Sequence, residues 1–279
     1  MSDIYEIIAN KMENMSKTQK KIADYILKHR SEISFIKIKD LAARVGVSEA
    51  SIIRFGNFLG YSGYSELQHL FQDVTQKKLT VKERLEMSYE AYENKDIGDV
   101  FHEEIAHLKY TLDNINNENF YQVIDEILAA KRIFIICGRS AYALGYFFQY
   151  YLKMILGETY LISHFDGNED QLISLGKNDL IIGLTFERYT KQTIQLVEYA
   201  YKKKAKIVAI TDYMTSPIIR YSSCYLLAAT KMSTYLDSFV APLAVINTIL
   251  TYIGKKKNKK IEQRTAEFEK MWSSMDIFE

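Results

Sequence analysis

The first part of the chain has the spacing of apolar residues that is typical of helices. Ile4, Ile8 and Met12 recur at four-residue intervals, which puts them on one helical face. Ser16 and Gln19 then have the spacing of a capping box, in which each side chain bonds the other residue's backbone N–H. The next helical face contains Ile22, Tyr25, Ile26 and His29. We therefore predict that the chain begins with a helical domain.

After residue 131 the pattern changes to short runs rich in β-branched and aromatic residues. The runs occupy residues 132–137, 159–163, 180–185, 206–211 and 224–229. Helical patterns separate most of them. Apolar runs that lack strict alternation and are separated by helices are typical of parallel strands covered on both faces. We therefore predict a doubly wound, flavodoxin-like sheet of five parallel strands, which gives an all-helical domain followed by an α/β domain.

A charged, helix-prone segment lies between these two parts. Its apolar residues are spaced by three and four, at Phe101, Ile105, Leu108 and Leu112. We predict a linker and one long connecting helix over residues 78–112. The helical domain then occupies residues 1–77, and residues 113–279 form the α/β domain with a C-terminal helix. A chain of 279 residues is long enough for two such domains.

Residues 37–64, KIKDLAARVGVSEASIIRFGNFLGYSGY, have the features of two helices joined by a tight turn. Gly46 suits the left-handed backbone that often ends a helix. Val47 can fill the space between the helices, and Ser48 is a good N-cap for the second helix, which Gly60 ends. The residues expected to face inward are Ile52, Phe55, Gly56 and Leu59. This pattern predicts a helix-turn-helix.

The outward face of the second helix carries side chains suited to DNA. In a helix-turn-helix the N-terminal residues of the second helix reach base edges in the major groove. Arg54 can bond guanine or hold a phosphate, and Lys37, Lys39 and Arg44 can hold the DNA backbone. The predicted DNA-contacting residues are Lys37, Lys39, Ser48, Glu49, Ala50, Ser51, Arg54 and Asn57. The alternative is a plain helical packing unit in which these side chains are only solvated.

The segment LAARVGVSEASIIRFGNFLGYSGYSEL resembles the N-terminal domain of the RpiR family of bacterial regulators. That family has LA-x-x-x-x-VS-x-[AS]-[ST]-I-x-RF followed by LG-[FY]-x-G-[FY]-x-EL. The matching residues are Leu41, Ala42, Val47, Ser48, Arg54, Phe55, Leu59, Gly60, Gly63, Glu66 and Leu67. The resemblance implies a second domain of the sugar isomerase (SIS) type, in agreement with the α/β prediction. It also implies a double-stranded DNA operator, a phosphorylated sugar effector, and a homodimer or homotetramer.

The turns that follow the predicted strands form the candidate ligand site. Ligands of parallel sheets bind outside the carboxyl ends of the strands, near helix N-termini that attract anions. After the first strand, the backbone of Gly138 and Arg139 and the hydroxyl of Ser140 could wrap a phosphate, or this is a simple strand-to-helix turn. After residue 211, Ser216 is predicted to cap a helix that has Pro217 at its first position.

The turn at residues 185–190 departs from the SIS pattern. SIS domains usually have Ser-x-Ser-Gly-x-Thr here, and its hydroxyls hold a sugar phosphate. By that resemblance Thr185 and Thr190 match the outer positions, whereas Glu187 and Arg188 replace the inner Ser and Gly. A carboxylate repels phosphate, but a guanidinium suits phosphate or carboxylate. Either an anion binds with rearranged geometry, or the ligand differs, or an arginine pairs internally with Glu187 or Asp212.

The predicted ligand-binding residues are Gly138, Arg139, Ser140, Thr185, Glu187, Arg188, Thr190 and Asp237. The resemblance brings Asp237 back towards the pocket, together with its neighbours Tyr235 and Ser238. His164 and Asp166 either reach the ligand or lie in a solvated loop. His102 and His107 are five residues apart, which does not align two ligands on a helix, so we predict no metal site and no cofactor.

Composition and charge change this picture little. The net charge is +1, but residues 1–78 hold 12 basic and 9 acidic residues, which permits DNA binding there without requiring it. Cys137 and Cys224 lie in apolar runs and are expected to be reduced core thiols. We find no apolar run long enough to span a bilayer and no export signal, so a cytoplasmic protein is expected.

Three functions fit these features. The first is a transcriptional regulator whose SIS domain senses a phosphorylated sugar or amino sugar and alters operator binding. The second is a SIS-type sugar-phosphate isomerase or lyase, which needs a positioned base such as Glu187 or His164. The third is a regulator that senses a non-phosphorylated anionic metabolite. We predict the first, with no catalytic residues.

Overall fold

The computed structural model describes residues 4–29, 33, 36–61, 63, 64, 66–68, 70, 71, 80–163, 167–232, 234–256 and 259–278. The chain divides into two compact units, residues 1–89 and 90–279. The division falls inside the segment that the sequence predicts as a connection.

The first unit is helical. Helix α1 spans Ile4–Lys11, α2 spans Lys17–Lys28, α3 spans Ile38–Val45 and α4 spans Glu49–Leu59. The capping box at the start of α2 is confirmed, because Gln19 N donates to Ser16 Oγ at 3.4 Å and Ser16 N donates to Gln19 Oε1 at 2.8 Å. The apolar faces of the helices meet in one core. Its fully buried members include Ile8, Ile22, Leu41, Ile52, Phe55, Leu67 and Phe71.

The structure contains the predicted long connecting helix, with Phe101, Ile105, Leu108 and Leu112 on it, and places a second helix where the sequence predicts a linker. Helix α5 spans Val81–Tyr92 and α6 spans Ile97–Asn114. Asp96 interrupts the helical run because its carboxylate accepts the Asp99 N–H at 3.0 Å, while Asp99 caps the Asp96 N–H in return. Such reciprocal capping starts a new helix.

The second unit contains the predicted parallel sheet. Strand β1 spans Arg132–Cys137, β2 Thr159–Ile162, β3 Asp179–Leu184, β4 Lys206–Thr211 and β5 Cys224–Leu227. The strand order is β2-β1-β3-β4-β5 and every neighbouring pair is parallel. This is the flavodoxin-like order, so the predicted fold class is confirmed.

Helices cover both faces of the sheet. Helix α7 spans Asn117–Ala129, α8 Tyr142–Leu156, α9 Lys191–Lys202, α10 Val240–Lys255 and α11 Lys259–Met275. One core joins α7, α8 and α10 to alternate strand residues such as Ile135 and Ile182. A second core joins α9 to residues such as Phe134 and Ile181 on the opposite face. Every second residue therefore faces the other layer, as a doubly wound sheet requires.

Two further expectations can be compared with the structure. Cys137 and Cys224 are free, buried thiols, and burial raises their pKa to about 12 and about 11, respectively. The capped helix predicted at Ser216 is wrong. Ser216 Oγ lies 2.8 Å from Thr211 Oγ1, and only a short 3₁₀ helix, Ile219–Tyr221, follows.

Within the described ranges, no helix is both long and apolar enough to cross a membrane. The same residues contain no group of three His, Cys, Asp or Glu side chains that could hold a metal ion.

Candidate functional sites

The turn between α3 and α4 is held by local hydrogen bonds. Gly46 has a left-handed backbone, with φ of 72°, which a residue with a Cβ adopts only at a cost. Val47 N donates to Ala42 O at 2.9 Å. Ser48 is the N-cap of α4, and its Oγ accepts the Ser51 N–H at 3.3 Å. The predicted helix-turn-helix geometry is thus confirmed.

One face of α4, here called the recognition helix, carries most of the predicted DNA contacts. The exposed residues among them are Ser48, Glu49, Ala50, Arg54 and Asn57, and Ser51 is half-exposed. Arg54 Nη2 donates to Ser51 Oγ at 3.2 Å, and Ser51 Oγ lies 2.9 Å from Ser48 Oγ. The guanidinium carries further N–H groups that can bond a base or a phosphate. The helix therefore presents an oriented donor near its N-terminal end.

The other predicted DNA contacts lie on α3. Lys37 is its N-cap, Lys39 lies in its first turn, and both are exposed. Arg44 Nη1 donates to Tyr25 Oη at 3.5 Å, and the Tyr25 ring stacks on His29 with a centroid distance of 4.1 Å. These cations lie on the first helix of the motif, which in this architecture crosses the DNA backbone.

Sequence reasoning missed one residue of the recognition helix. Ile53 is 43% exposed, one turn after Glu49 and one turn before Asn57. An apolar side chain on this face can contact a thymine methyl group. The four-residue spacing of Glu49, Ile53 and Asn57 is the sequence signal for this position, but an apolar residue next to the buried Ile52 fits either face of the helix.

The second candidate site lies at the carboxyl ends of β1 and β3. The two strands are neighbours, with Cys137 paired with Leu184, so the loops that follow them leave the sheet side by side. A Cβ on Gly138 would lie 3.2 Å from Thr193 Oγ1 and 3.4 Å from Thr190 Cγ2. The backbone of the first loop therefore packs closely against the start of α9. In this strand order β1 and β3 form the switch point at which ligands bind.

Two exposed arginines flank this switch point. Arg139 and Arg188 both have left-handed backbones, with φ of 56° and 63°. For residues with a Cβ this conformation costs on the order of 1 kcal/mol, and such strain is often found at functional sites. Neither guanidinium forms a hydrogen bond or ion pair with the part of the chain that the structure describes. Two such groups at neighbouring strand ends suit an anion.

Asp212 organises the loop at residues 185–190, here called the effector loop. This buried carboxylate accepts the Glu187 N–H at 2.6 Å, the Tyr189 hydroxyl at 3.0 Å and the Tyr213 N–H at 3.0 Å. Burial raises the pKa of Asp212, and the bonds from Glu187 and Tyr189 oppose that rise. Burial also raises the pKa of Tyr189, as does the charge of Asp212, so the phenol stays protonated and donates.

This network decides whether Asp212 pairs with an arginine of the effector loop, which the sequence left open. Asp212 binds the backbone of Glu187 and the side chain of Tyr189, while Arg188 remains exposed. A pair between Arg188 and Asp212 is therefore not part of the structure. The sequence signal for Asp212 is an acidic residue directly after a buried strand.

The predicted hydroxyl groups differ in accessibility. Ser140 is exposed and Thr190 is half-exposed, so both can be reached from solvent. Thr185 is only 3% exposed, and its carbonyl accepts the Thr211 hydroxyl at 2.6 Å. Ser140 and Thr190 are therefore better placed than Thr185 to meet a ligand from solvent.

Asp237 is close in the chain to a residue that packs against the effector loop. It is half-exposed and stands two residues before Phe239, whose ring centroid lies 5.2 Å from that of Phe186. His164 and Asp166 lie outside the described residues.

Comparisons with known proteins match both parts of the chain. A family model for the helix-turn-helix domain of the rpiR family matches residues 2–78, and a SIS domain model matches residues 126–252. The chain belongs to the RpiR family. It is a transcriptional regulator with a helix-turn-helix and a SIS domain.

Relatives of this RpiR-family protein match along nearly its whole length. An uncharacterized HTH-type transcriptional regulator of Thermotoga maritima is 27% identical, over 93% of this chain and 95% of its own. The regulator RpiR of Escherichia coli K12 is 24% identical, over 96% of this chain and 90% of its own. The solved structure of Vibrio vulnificus NanR complexed with ManNAc-6P is 21% identical, with a TM-score of 0.58, and covers 97% of this chain and 98% of that one. At 21% identity, the similarity to NanR shows the fold alone.

Proposed function

We propose that this RpiR-family regulator binds a phosphorylated sugar or amino sugar at the carboxyl ends of β1 and β3 and that binding alters its affinity for operator DNA. The observation that carries the proposal is the pair of exposed arginines, Arg139 and Arg188, on left-handed backbones at the switch point. The ManNAc-6P in the NanR complex is a ligand of that protein, and it supports the choice of ligand class here.

The ligand's phosphate would be held between the two guanidinium groups, with Ser140 and Thr190 as hydroxyl partners. Arginine suits this role because its planar fork bonds two phosphate oxygens at once. Glu187 and Asp237 would then bond sugar hydroxyls or an amino group, because a carboxylate next to the phosphate itself would be repelled. The carboxylate of Glu187 also supports the alternative of a non-phosphorylated anionic or zwitterionic metabolite.

On the DNA side, we propose that Ser48, Glu49, Ala50, Ser51, Arg54 and Asn57 face the bases, and that Lys37 and Lys39 hold the backbone. Ile53 adds an apolar contact to the same face. A two-fold dimer, or a tetramer made of two such dimers, would place two recognition helices about 34 Å apart on a near-palindromic operator. A ligand then regulates binding only by favouring one arrangement of the two units over another.

We propose regulation without catalysis. A SIS isomerase or lyase needs a base beside the sugar carbon, for which Glu187 is the candidate among the described residues. The relatives that match nearly the whole chain are transcriptional regulators, and this supports a regulatory role. Turnover of a common sugar phosphate above background would contradict this part of the proposal.

A thermal-shift screen of the full chain tests the ligand class. The panel contains N-acetylmannosamine 6-phosphate, glucosamine 6-phosphate and glucose 6-phosphate, the same sugars without phosphate, simple carboxylates, and inorganic phosphate. A phosphosugar at 100 times its Kd should raise Tm by roughly 5–10 °C. Replacing Arg139 and Arg188 with alanine should abolish the shift, whereas Arg220→Ala, at an exposed arginine beyond β4, should keep it. A response only to non-phosphorylated anions would favour the alternative.

A further inference from the structure

Helix α6, the long helix that follows the division between the two units, is bonded to a distant segment after β5. This return segment comprises residues 229–232 and 234–238. Ser238 Oγ donates to Glu104 Oε2 at 2.5 Å, and Ala229 N donates to Thr111 Oγ1 at 3.0 Å. Ser238 is 3% exposed and Thr111 is 6% exposed. The return segment is therefore fixed to α6 at both of its ends by largely buried hydrogen bonds.

The same segment is bonded to Asp212, the residue that holds the effector loop. Thr230 Oγ1 donates to Asp212 Oδ2 at 3.4 Å, and the same carboxylate oxygen accepts the Glu187 N–H. Ser238 N donates to Thr230 O at 2.7 Å, which closes the segment on itself. A continuous series of contacts thus runs from Glu187 through Asp212, Thr230 and Ser238 to Glu104.

The geometry of this series favours the transmission of small displacements. Hydrogen bonds to a largely desolvated carboxylate are directional and cannot be replaced by water at low cost. A ligand that pulls the effector loop moves the Glu187 N–H, and with it the carboxylate of Asp212. The return segment then either moves with Asp212 or loses the hydrogen bond from Thr230. Either change alters the hydrogen bond between Ser238 and Glu104 on α6.

We propose that the return segment couples the effector loop to α6, with Ser238 and Glu104 as positioning residues that touch neither the ligand nor DNA. This inference rests on the proposed function, since it specifies how the ligand site acts on the helix that leads towards the DNA-binding unit in the chain. The competing explanation is that these residues contribute only to stability. Coupling differs from it because a substitution at Ser238 or Glu104 should then also change the effector loop.

Amide hydrogen exchange of the full chain without ligand or DNA is the first test. Ser238→Ala removes the donor, and Glu104→Met removes the acceptor at similar side-chain length. Both should speed exchange of the Glu187 and Tyr213 amides several-fold, because both N–H groups donate to Asp212. Changes confined to the return segment and α6 would overturn the proposal.

Two further variants keep this comparison specific. Glu104→Gln retains an oxygen acceptor and should restore slow exchange at Glu187. Glu126→Met is the matched control. It removes a carboxylate that lies 2.5 Å from Lys206 Nζ and is 16% exposed, against 20% for Glu104. It should leave the effector loop unchanged. Because Glu104 also lies 3.7 Å from His107 Nδ1, agreement between the Glu104 and Ser238 variants identifies the shared hydrogen bond.

The second test measures the coupling. DNA affinity is measured on a duplex selected from a random library by the unmodified chain, with and without saturating N-acetylmannosamine 6-phosphate or another panel sugar that raises Tm. The ratio of the DNA affinities with and without ligand should lie in the usual range of about 5–150-fold for the unmodified chain. It should fall to within about twofold in Ser238→Ala, Glu104→Met and the double variant, with ligand Kd changed by less than about threefold. Equal losses in the three variants are the signature of one shared interaction.

The two proposals fail in different ways. If the coupling ratio persists in Ser238→Ala, or if the single losses add in the double variant, the return segment is not the coupling element, although the proposed function stands. If no sugar phosphate binds the unmodified chain, the proposed function fails. The hydrogen-exchange comparison still decides whether Glu104 is linked to Glu187.

Discussion

The recognition helix and the effector loop each present an exposed arginine, but they hold it in different ways. Arg54 stands on a regular helix and donates to Ser51, three residues earlier. Arg188 stands on a left-handed backbone in a loop whose position depends on Asp212, a residue beyond the next helix and strand. The first site is built from local contacts, whereas the second is built from contacts between distant residues. Single substitutions should therefore have narrow effects in the recognition helix and broad effects in the effector loop.

The largest expected effect is that of Asp212→Asn. The new amide group would point N–H donors at the donors of Glu187, Tyr189 or Tyr213, leaving buried groups unsatisfied. We expect the free energy of unfolding to fall by about 3 kcal/mol, together with loss of ligand response. Urea unfolding followed by Trp272 fluorescence measures it, because this single tryptophan lies on α11 in the second unit. Tyr189→Phe removes one donor and should cost about 1 kcal/mol; equal costs would argue against a central role for Asp212.

The next effect, on DNA binding, is that of Arg54→Ala. We expect specific affinity to fall by about 2 kcal/mol, or roughly 30-fold, with unfolding and ligand binding unchanged because the side chain is exposed. Anisotropy titrations with the selected duplex and a scrambled duplex measure it. Lys39→Ala should weaken both duplexes equally. If Arg54→Ala retains the preference for the selected duplex, the assignment of the recognition helix is wrong.

A smaller effect of opposite sign is expected from Arg188→Gly. Glycine relieves the left-handed strain at φ of 63° but loses more entropy on folding, so we expect a net gain of roughly 0.7 kcal/mol in stability. The same change should abolish the thermal shift produced by a phosphosugar. Lys204→Gly is the matched control, because Lys204 also has a left-handed backbone, with φ of 62°, and lies after α9 away from the switch point. It should give the same gain with ligand binding intact.

The smallest effect is expected from Ser51→Ala. Loss of the bond between the Arg54 guanidinium and this hydroxyl should weaken specific DNA binding by roughly 0.5 kcal/mol, about twofold. Ser51→Thr keeps the hydroxyl and should bind like the unmodified chain in the same anisotropy assay. A loss as large as that of Arg54→Ala would mean that Ser51 contributes a base contact as strong as that of Arg54, beyond its bond to the guanidinium.

The contrast between the two sites also explains what the sequence could predict. The recognition helix follows from Gly46, Ser48 and the spacing of Ile52 and Phe55, all within a few residues of one another. The five strands follow from apolar runs because each is buried on both faces. The start of α6 could not be located from the sequence, because Asp96 and Asp99 form their capping box with a second aspartate in place of the usual glutamate or glutamine.

The candidate ligand site was only partly predictable, because its contacts cross the sheet. The resemblance to SIS domains identified residues 185–190, and the structure adds that Arg188 keeps a left-handed backbone at the position where that pattern has glycine. Nothing local to Asp212 indicates that it bonds Glu187, since the two residues meet only when β3 and β4 pair. Likewise, the bond between Ser238 and Glu104 joins residues 134 positions apart, which no local pattern predicts.

The two buried thiols make the folded protein convenient for spectroscopy. Alkylating reagents attack thiolates, and Cys137 and Cys224 are buried with their pKa raised to about 12 and about 11, so both should be silent towards maleimides near neutral pH. A single cysteine introduced at an exposed position, such as Tyr235 or Asn57, would carry a fluorophore without removal of the native pair. A label at Asn57 on the recognition helix and a label at Tyr235 in the return segment would then report each site separately in the otherwise unmodified chain.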